Sequence, residues 1–292
     1  MWLLWILPLA ASFLLPATGE VVDSFRKCRQ FFLDGKAPEL KPVDPVRICQ
    51  LYENKYRFAT MYDKTRRIPL YSAYIYQQGE GDRFDEWMIE PQLALPVAKN
   101  RKSMELEETC AINKKVLEKN QAVDQDYRES IRHDRGHLVP NGHQPDQESK
   151  NATFTITNIV PQYPPLNAGQ WRTYEETINA VGCQRTYIIA GAVPGDKLIN
   201  GRVNIPSHIW AAGCCVIDKK RRRSWAVIAK NDRDEINRLT LEQLQDELAT
   251  LYNKNQNNSK NNNNDKSQNK KNKDKKTKSI DLFNNACNVP QN

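Results

Sequence analysis

The chain has 292 residues, 39% of them hydrophobic, and a net charge of +8. That length allows one large domain or two small ones with a sizeable core. Past the N-terminus no stretch is long and apolar enough to span a bilayer, and the charge is local: residues 253–278 carry nine lysines against Asp265 and Asp274, which leaves +2 over residues 1–252 and excludes a strongly basic folded body.

Trp2 to Leu15 is a short apolar run, followed by the small residues Ala17, Thr18 and Gly19. It lacks the usual positive leading region, but its length and small-residue end predict a secretory signal over residues 1–19 in place of a membrane anchor. Residues 20–57, with Cys28, Cys49 and three prolines between them, predict a loop-rich arm tied by a disulfide. From Phe58 to Gln78 the alternation of Ile68, Leu70, Ser72, Tyr74 and Tyr76 with other apolar residues predicts a buried strand. Residues 82–130 hold charged residues and helix formers, as in connecting helix and loop. Asn151-Ala152-Thr153 is a glycosylation sequon and is expected on a surface loop, and Asn257-Asn258-Ser259 is a second one.

Phe154 to Val160 is a strand by composition, stopped by Pro164 and Pro165. Asn167 to Val181 then reads as a helix carrying Glu175. Thr186 to Gly191, Trp210 to Ile217 and Ser224 to Ala229 read as strands, the last two paired across Asp218 to Arg223. Leu239 to Leu251 has helical spacing of leucines. Strands and helices in this irregular order predict an α+β domain over residues 20–252, an antiparallel sheet flanked by helices. The Asn/Lys-rich remainder, 253–292, is too polar to form a core and reads as a disordered tail.

Chemistry concentrates in two segments. Asp134-Arg135-Gly136-His137 is followed thirty residues on by Asn167-Ala168-Gly169-Gln170-Trp171 and Glu175. Cleaving a phosphodiester needs an activated water, a cation on the phosphate oxygens and a proton for the leaving oxygen. A neutral imidazole at His137 suits a general base. Asn167 offers a neutral amide oxygen to a hydrated divalent cation such as Mg²⁺ or Mn²⁺, which is often held through few protein ligands. Arg135 supplies a planar cation for phosphate oxygens, and Glu175 a carboxylate two helical turns beyond Asn167. Each has a plainer reading. Asp-Arg-Gly-His alone can be an ion-paired surface turn. His133 and His137 have the spacing of a zinc pair on a helix, but Gly136 and Pro140 argue against a helix there. Asn158 reads as a structural hydrogen bonder, and His143 and His208 as ordinary polar residues.

Together these segments resemble the DNA/RNA non-specific endonuclease family of ββα-metal nucleases. Ser24 to Cys28, Phe58 to Asp63 and Arg67 to Tyr74 extend the likeness to its secreted endonuclease domain-containing 1 protein-like subgroup. The resemblance implies a general base at His137, a metal ligand at Asn167, catalytic roles for Arg135 and Glu175, and a phosphate contact at Arg83. It also implies cleavage of DNA and RNA to leave 5′-phosphates. The rival expectation is a secreted module that keeps the fold and binds polyanions or a protein without cutting.

Seven cysteines behind a secretory signal predict disulfides. The expected pairs are Cys28 with Cys49 and Cys183 with Cys214 or Cys215, with Cys110 taking the other member of that doublet and Cys287 left over. Lys219 to Arg223 is either a solvated turn or a phosphate-contacting patch.

Overall fold

Strand residues that are apolar on both faces must be covered on both sides, and here they are. In the computed structural model, which describes residues 20–38, 40, 44–95, 101–261 and 279–287, an eight-stranded antiparallel sheet lies between two layers. The strands in chain order are β1 (Glu20–Val22), β2 (Pro45–Tyr52), β3 (Lys55–Asp63), β4 (Ile68–Ile75), β5 (Met88–Ile89), β6 (Glu105–Leu106), β7 (Asp134–His137), β8 (Ile159–Gln162), β9 (Arg185–Val193), β10 (Lys197–Ile199), β11 (Val203–Ile205), β12 (His208–Val216), β13 (Arg222–Lys230) and β14 (Asn237–Leu239). The helices are α1 (Pro91–Ala94), α2 (Lys114–Asn120), α3 (Asp124–Arg128), α4 (Gln147–Ala152), α5 (Pro164–Ala168), α6 (Gln170–Glu176) and α7 (Leu241–Asn261). The main sheet runs β1-β2-β3-β4-β9-β12-β13-β14. The α+β class expected from the sequence is the class observed.

The period of two along β12 sorts its side chains cleanly. Trp210, Ala212 and Cys214 face one layer, with Leu244, Leu248, Leu282 and Phe283. Ile209 and Ala211 face the other, with Ile159, Val160, Leu166 and Trp171. The second layer carries the candidate site. There β7 and β8 pair antiparallel, Asp134 opposite Gln162 and His137 opposite Ile159, and α5 follows directly. This is a ββα unit laid on the sheet.

Several expectations change. The region before residue 58 is not only an arm, because Pro45–Tyr52 is a full member of the main sheet. Arg47 and Gln50 hide it by breaking the apolar run. Phe58 to Gln78 is two strands joined at Lys64–Arg67, with Arg67 at φ 57°. Phe154 to Val160 begins with a 3-10 turn, Ile156–Asn158, before β8. The sequon Asn151 closes α4 and does not lie on a loop, and the Thr153 hydroxyl donates to Lys150 O at 2.7 Å.

The helix expected over 167–181 breaks at Gly169 and ends at Glu176. A Cβ at Gly169 would lie 2.4 Å from an Asp234 carboxylate oxygen. That carboxylate accepts the Gln170 N–H at 2.7 Å and so satisfies the start of α6.

Disulfides Cys28–Cys49 and Cys183–Cys215 follow the reading. The third joins Cys214 to Cys287, and Cys110 is the free thiol. Cys287 was expected to be the odd cysteine because it lies in the polar tail. Instead residues 279–287 return to the sheet, burying Leu282 and Phe283 beside Leu244 and Leu248. The signal segment 1–19 and the tail lysines from 266 to 278 lie outside the described residues. Among the described residues no helix is long and apolar enough to cross a membrane.

Candidate active site

The walls of the site follow from the ββα unit. Along β7, alternate side chains diverge, and Gly136 is packed so closely on β8 that a Cβ would sit 2.1 Å from Gln162 Oε1. The glycine is therefore a packing requirement of the motif. Beyond β7 the chain is fixed by fully buried Asn158, which donates to Val139 O at 3.1 Å and Thr153 O at 3.0 Å and accepts from Val139 N at 3.1 Å and Ser72 Oγ at 3.2 Å. Its structural role is as expected.

A cleft of about 490 Å³ opens here, and its lining includes Arg83, Arg135, His137, Asn141, Asn167 and Glu175. Five residues expected to act together thus line one cleft, although they come from three separate stretches of chain. The imidazole of His137 sits edge to face on Phe154, with ring centroids 5.0 Å apart, and 5.6 Å from the Trp87 ring. Its Nε2 is buried and has no hydrogen-bond partner among the described residues, while the ring hydrogen-bonds the Arg135 backbone. Burial, aided by the charge of Arg83, lowers its pKa to about 3. The ring is neutral at physiological pH, with a lone pair free.

Asn167 Nδ2 donates to Asp134 Oδ2 at 3.1 Å. A carboxylate can only accept, so the amide orientation is decided by its partner, and Oδ1 is the atom left over. Glu175, one helix on, is lifted to about 8 by burial, against an interaction with the Trp171 indole that lowers it.

Two further groups shape the cleft. His143 Nε2 donates to the Glu175 carbonyl at 2.9 Å, so its Nδ1 accepts from the Tyr74 hydroxyl at 2.8 Å. Burial holds its pKa down to about 4. This histidine pins α6 to β4, a structural task beyond the ordinary polar role read from the sequence. Asn141 Nδ2 is buried in the cleft wall with no acceptor among the described residues.

A model of the DNA/RNA non-specific endonuclease family matches residues 36–270. The chain belongs to that family. It is 32% identical over 229 residues to human endonuclease domain-containing 1 protein, covering 74% of this chain and 44% of the relative. The mouse protein of that name is 30% identical over 218 residues, 72% of this chain and 42% of the relative. This chain therefore spans under half the length of those two relatives. A Nostoc nuclease matches 84 residues at 33% identity, 27% of this chain and 30% of its own. Among solved structures, the complex titled for EndoG and its inhibitor EndoGI aligns with a TM-score of 0.48 and 16% identity, covering 68% of this chain and 83% of that one.

Within the family signature, Asp134-Arg135-Gly136-His137, the four residues divide the work. His137 faces the cleft, Gly136 admits β8 and Asp134 orients Asn167. Arg135 departs from expectation. It lines the cleft, but its guanidinium is an ion pair with Asp124 and lies over the rings of Trp87 and Tyr127, 5.2 and 5.8 Å from their centroids. It props the wall behind His137, and Nε remains without a partner. Arg83, by contrast, is exposed in the cleft, held over Phe154 at 5.2 Å and bonded to Asp85 at 2.8 Å. His133 precedes β7 and bonds Ser130 Oγ at 3.2 Å, so the four-residue spacing to His137 does not run along a helix.

The family signature does not reveal Asp134 as an orienting group, nor Asn141 and His143. Asp134 and Asn167 touch in space yet lie 33 apart in sequence, which leaves no local signal. The basic run at Lys219–Arg223 is a turn closed by Asp218, which accepts from Lys220 N and Arg221 N at 2.9 and 2.8 Å. Arg223 in the same run donates to Asn179 O at 3.0 Å. That part of it is structural.

Proposed function

We propose that this chain is a secreted, divalent-cation-dependent nuclease that hydrolyses DNA and RNA with little sequence preference. The observation that carries the reading is the shared cleft in which unpartnered His137 Nε2 and the oriented amide of Asn167 both lie. His137 would take the proton from the attacking water. A phosphate entering beside it adds negative charge, which raises the imidazole from its depressed pKa and makes it a better base as substrate binds. Arg83 is an exposed cation within reach of phosphate oxygens, and Arg172 in the same lining is a second.

The donor set suits a hard cation: one free amide oxygen, with a carboxyl group nearby to hold coordinated water. Asn167 would hold it, Glu175 would fix its hydration, and Asp134 keeps the amide turned correctly. When bound, such a cation supplies charge neutralisation at the phosphate and the leaving oxygen. The named groups address phosphate and not base edges, which supports low sequence preference. Three disulfides support an oxidising compartment, and hence secretion.

The deciding measurement is degradation of DNA and RNA by the purified protein with Mg²⁺, with chelator, and as His137→Ala. Chelator is expected to stop cutting, and the substitution to cost at least about 10²-fold. One observation favours the rival reading, a non-cutting polyanion- or protein-binding module on the same fold: Arg135, although it lines the cleft, engages Nη2 in an ion pair with Asp124. Nucleic-acid binding in all three samples with cutting in none would establish that rival.

A further inference from the structure

A second cleft, of about 660 Å³, adjoins the first, and its lining includes Lys55, Arg57, Tyr76, Gln144, Arg185 and Thr186. The two are neighbours across a thin wall. Gln78 lines the first and Gln77 the second, while His143 lines the first and Gln144 the second. The wall is braced by Gln77 N donating to His143 O at 3.2 Å and by the Tyr76 ring standing edge-on to His143, with centroids 4.8 Å apart.

The floor is built in advance of any ligand. Arg57 is only 8% exposed, and three acceptors hold it: Tyr52 O at 3.2 Å, Asp146 Oδ1 at 3.1 Å and Ser149 Oγ at 3.0 Å. These engage Nε and Nη1, and no hydrogen bond among the described residues uses Nη2. Thr186 is 2% exposed, and its buried Oγ1 has no hydrogen-bond partner among the described residues. At the rim, Lys55 and Arg185 are exposed and form no ion pair among the described residues. Asp146 is the acidic residue of the lining, so three cations face one carboxylate.

We infer that this second cleft is a binding site for the phosphodiester backbone of a nucleic-acid strand whose scissile phosphate lies in the first. Buried and exposed cations around an unsatisfied hydroxyl match a chain of phosphates, and the shared wall places the site where a polymer leaving the first cleft would run. The inference deepens the nuclease reading, but it concerns binding and stands or falls without turnover.

The test uses the full chain in a His137→Ala background, with Lys55→Gln and Arg185→Gln added together. Binding of a single-stranded 20-mer is measured by fluorescence anisotropy against salt, with a 5′-mononucleotide, which fits one cleft, as the control. Each lost phosphate contact should lower the magnitude of the salt slope by about 0.7, so the pair should lower it by about 1.4. Taking 1 M salt as the point where the lines meet, that is roughly 10-fold weaker binding at 200 mM and roughly 60-fold at 50 mM. Mononucleotide affinity should not move. An unchanged slope for the 20-mer overturns the inference, and so does an equal loss for the mononucleotide, which would mark a general field effect. Tighter wild-type binding of a charge-matched sulfated polysaccharide, with the same loss in the pair variant, also overturns it. Failure of the nuclease reading looks different: wild-type protein that binds the 20-mer but does not cut it.

Discussion

Asp134 and Asn167, 33 residues apart, are joined by a 3.1 Å hydrogen bond that decides which end of an amide faces the cleft. Remove the carboxylate and nothing described holds that orientation. Asp134→Ala is therefore expected to weaken divalent-cation binding by roughly 10- to 100-fold, the usual scale for losing a group that orients a ligand. Mn²⁺ titration followed by electron paramagnetic resonance measures this without relying on turnover. Equal affinity in the variant and the wild type would remove Asp134 from the site.

Asn141 presents a conflict between stability and function. Its buried Nδ2 lacks an acceptor, and an unsatisfied buried donor costs about 1–3 kcal/mol. Asn141→Ala should raise the melting temperature by a few degrees while lowering kcat/KM on a defined oligonucleotide by about 10-fold, if a phosphate oxygen is the missing acceptor. A variant that melts higher and cuts as well as wild type would show that the donor is merely strained.

The folded protein holds His137 and His143 neutral, at about 3 and about 4, both because burial disfavours the charged ring. Unfolded, each would bind a proton below about 6.5. Their contribution is thus complete above that value and is lost as pH falls toward 3. Glu90 acts in the opposite sense, since burial lifts it to about 8. Its contribution is complete below the unfolded carboxyl value and is lost as pH rises through 8. Chemical denaturation across pH should show His143→Gln flattening the acid limb and Glu90→Gln flattening the alkaline one, each by up to a few kcal/mol at its extreme. Unchanged limbs in both variants would assign the pH dependence elsewhere.

What the sequence made legible was chemistry carried by short spacings. His137, Asn167 and Glu175 line one cleft, as does Arg83, which the family resemblance and no spacing suggested, and the β12–β13 hairpin formed across the expected turn. Long-range partnerships were not legible. Arg135 pairs with Asp124, eleven residues upstream, and no periodicity marks that choice. The helix read over 167–181 breaks at its weakest former, Gly169, where the distant Asp234 carboxylate takes up the Gln170 N–H, a partnership the local sequence does not show. Strand β2 lacks the alternation that betrays a strand because its neighbours bury both faces and its polar Gln50 is buried with them, its Nε2 donating to Thr60 and Thr157 at 3.2 and 2.9 Å while Oε1 has no partner among the described residues.

Cys214–Cys287 is the clearest case of structure hidden by composition. Ile280, Leu282, Phe283 and Cys287 are four core residues in a polar surrounding, too few to show a period, and the disulfide closes the chain over a separation of 73 residues. Cross-linking so long a loop removes unfolded-state entropy, and losing such a bridge typically costs about 2–5 kcal/mol. The double variant Cys214→Ser, Cys287→Ser should melt well below the wild type by calorimetry. It should nevertheless keep cation affinity at low temperature, since the bridge and the cleft lie on opposite faces of the sheet. If instead the melt is unmoved, the closing segment is carried by Leu282 and Phe283 alone, and Phe283→Ala in the double variant should then release it, read as new proteolytic cleavage between residues 279 and 287.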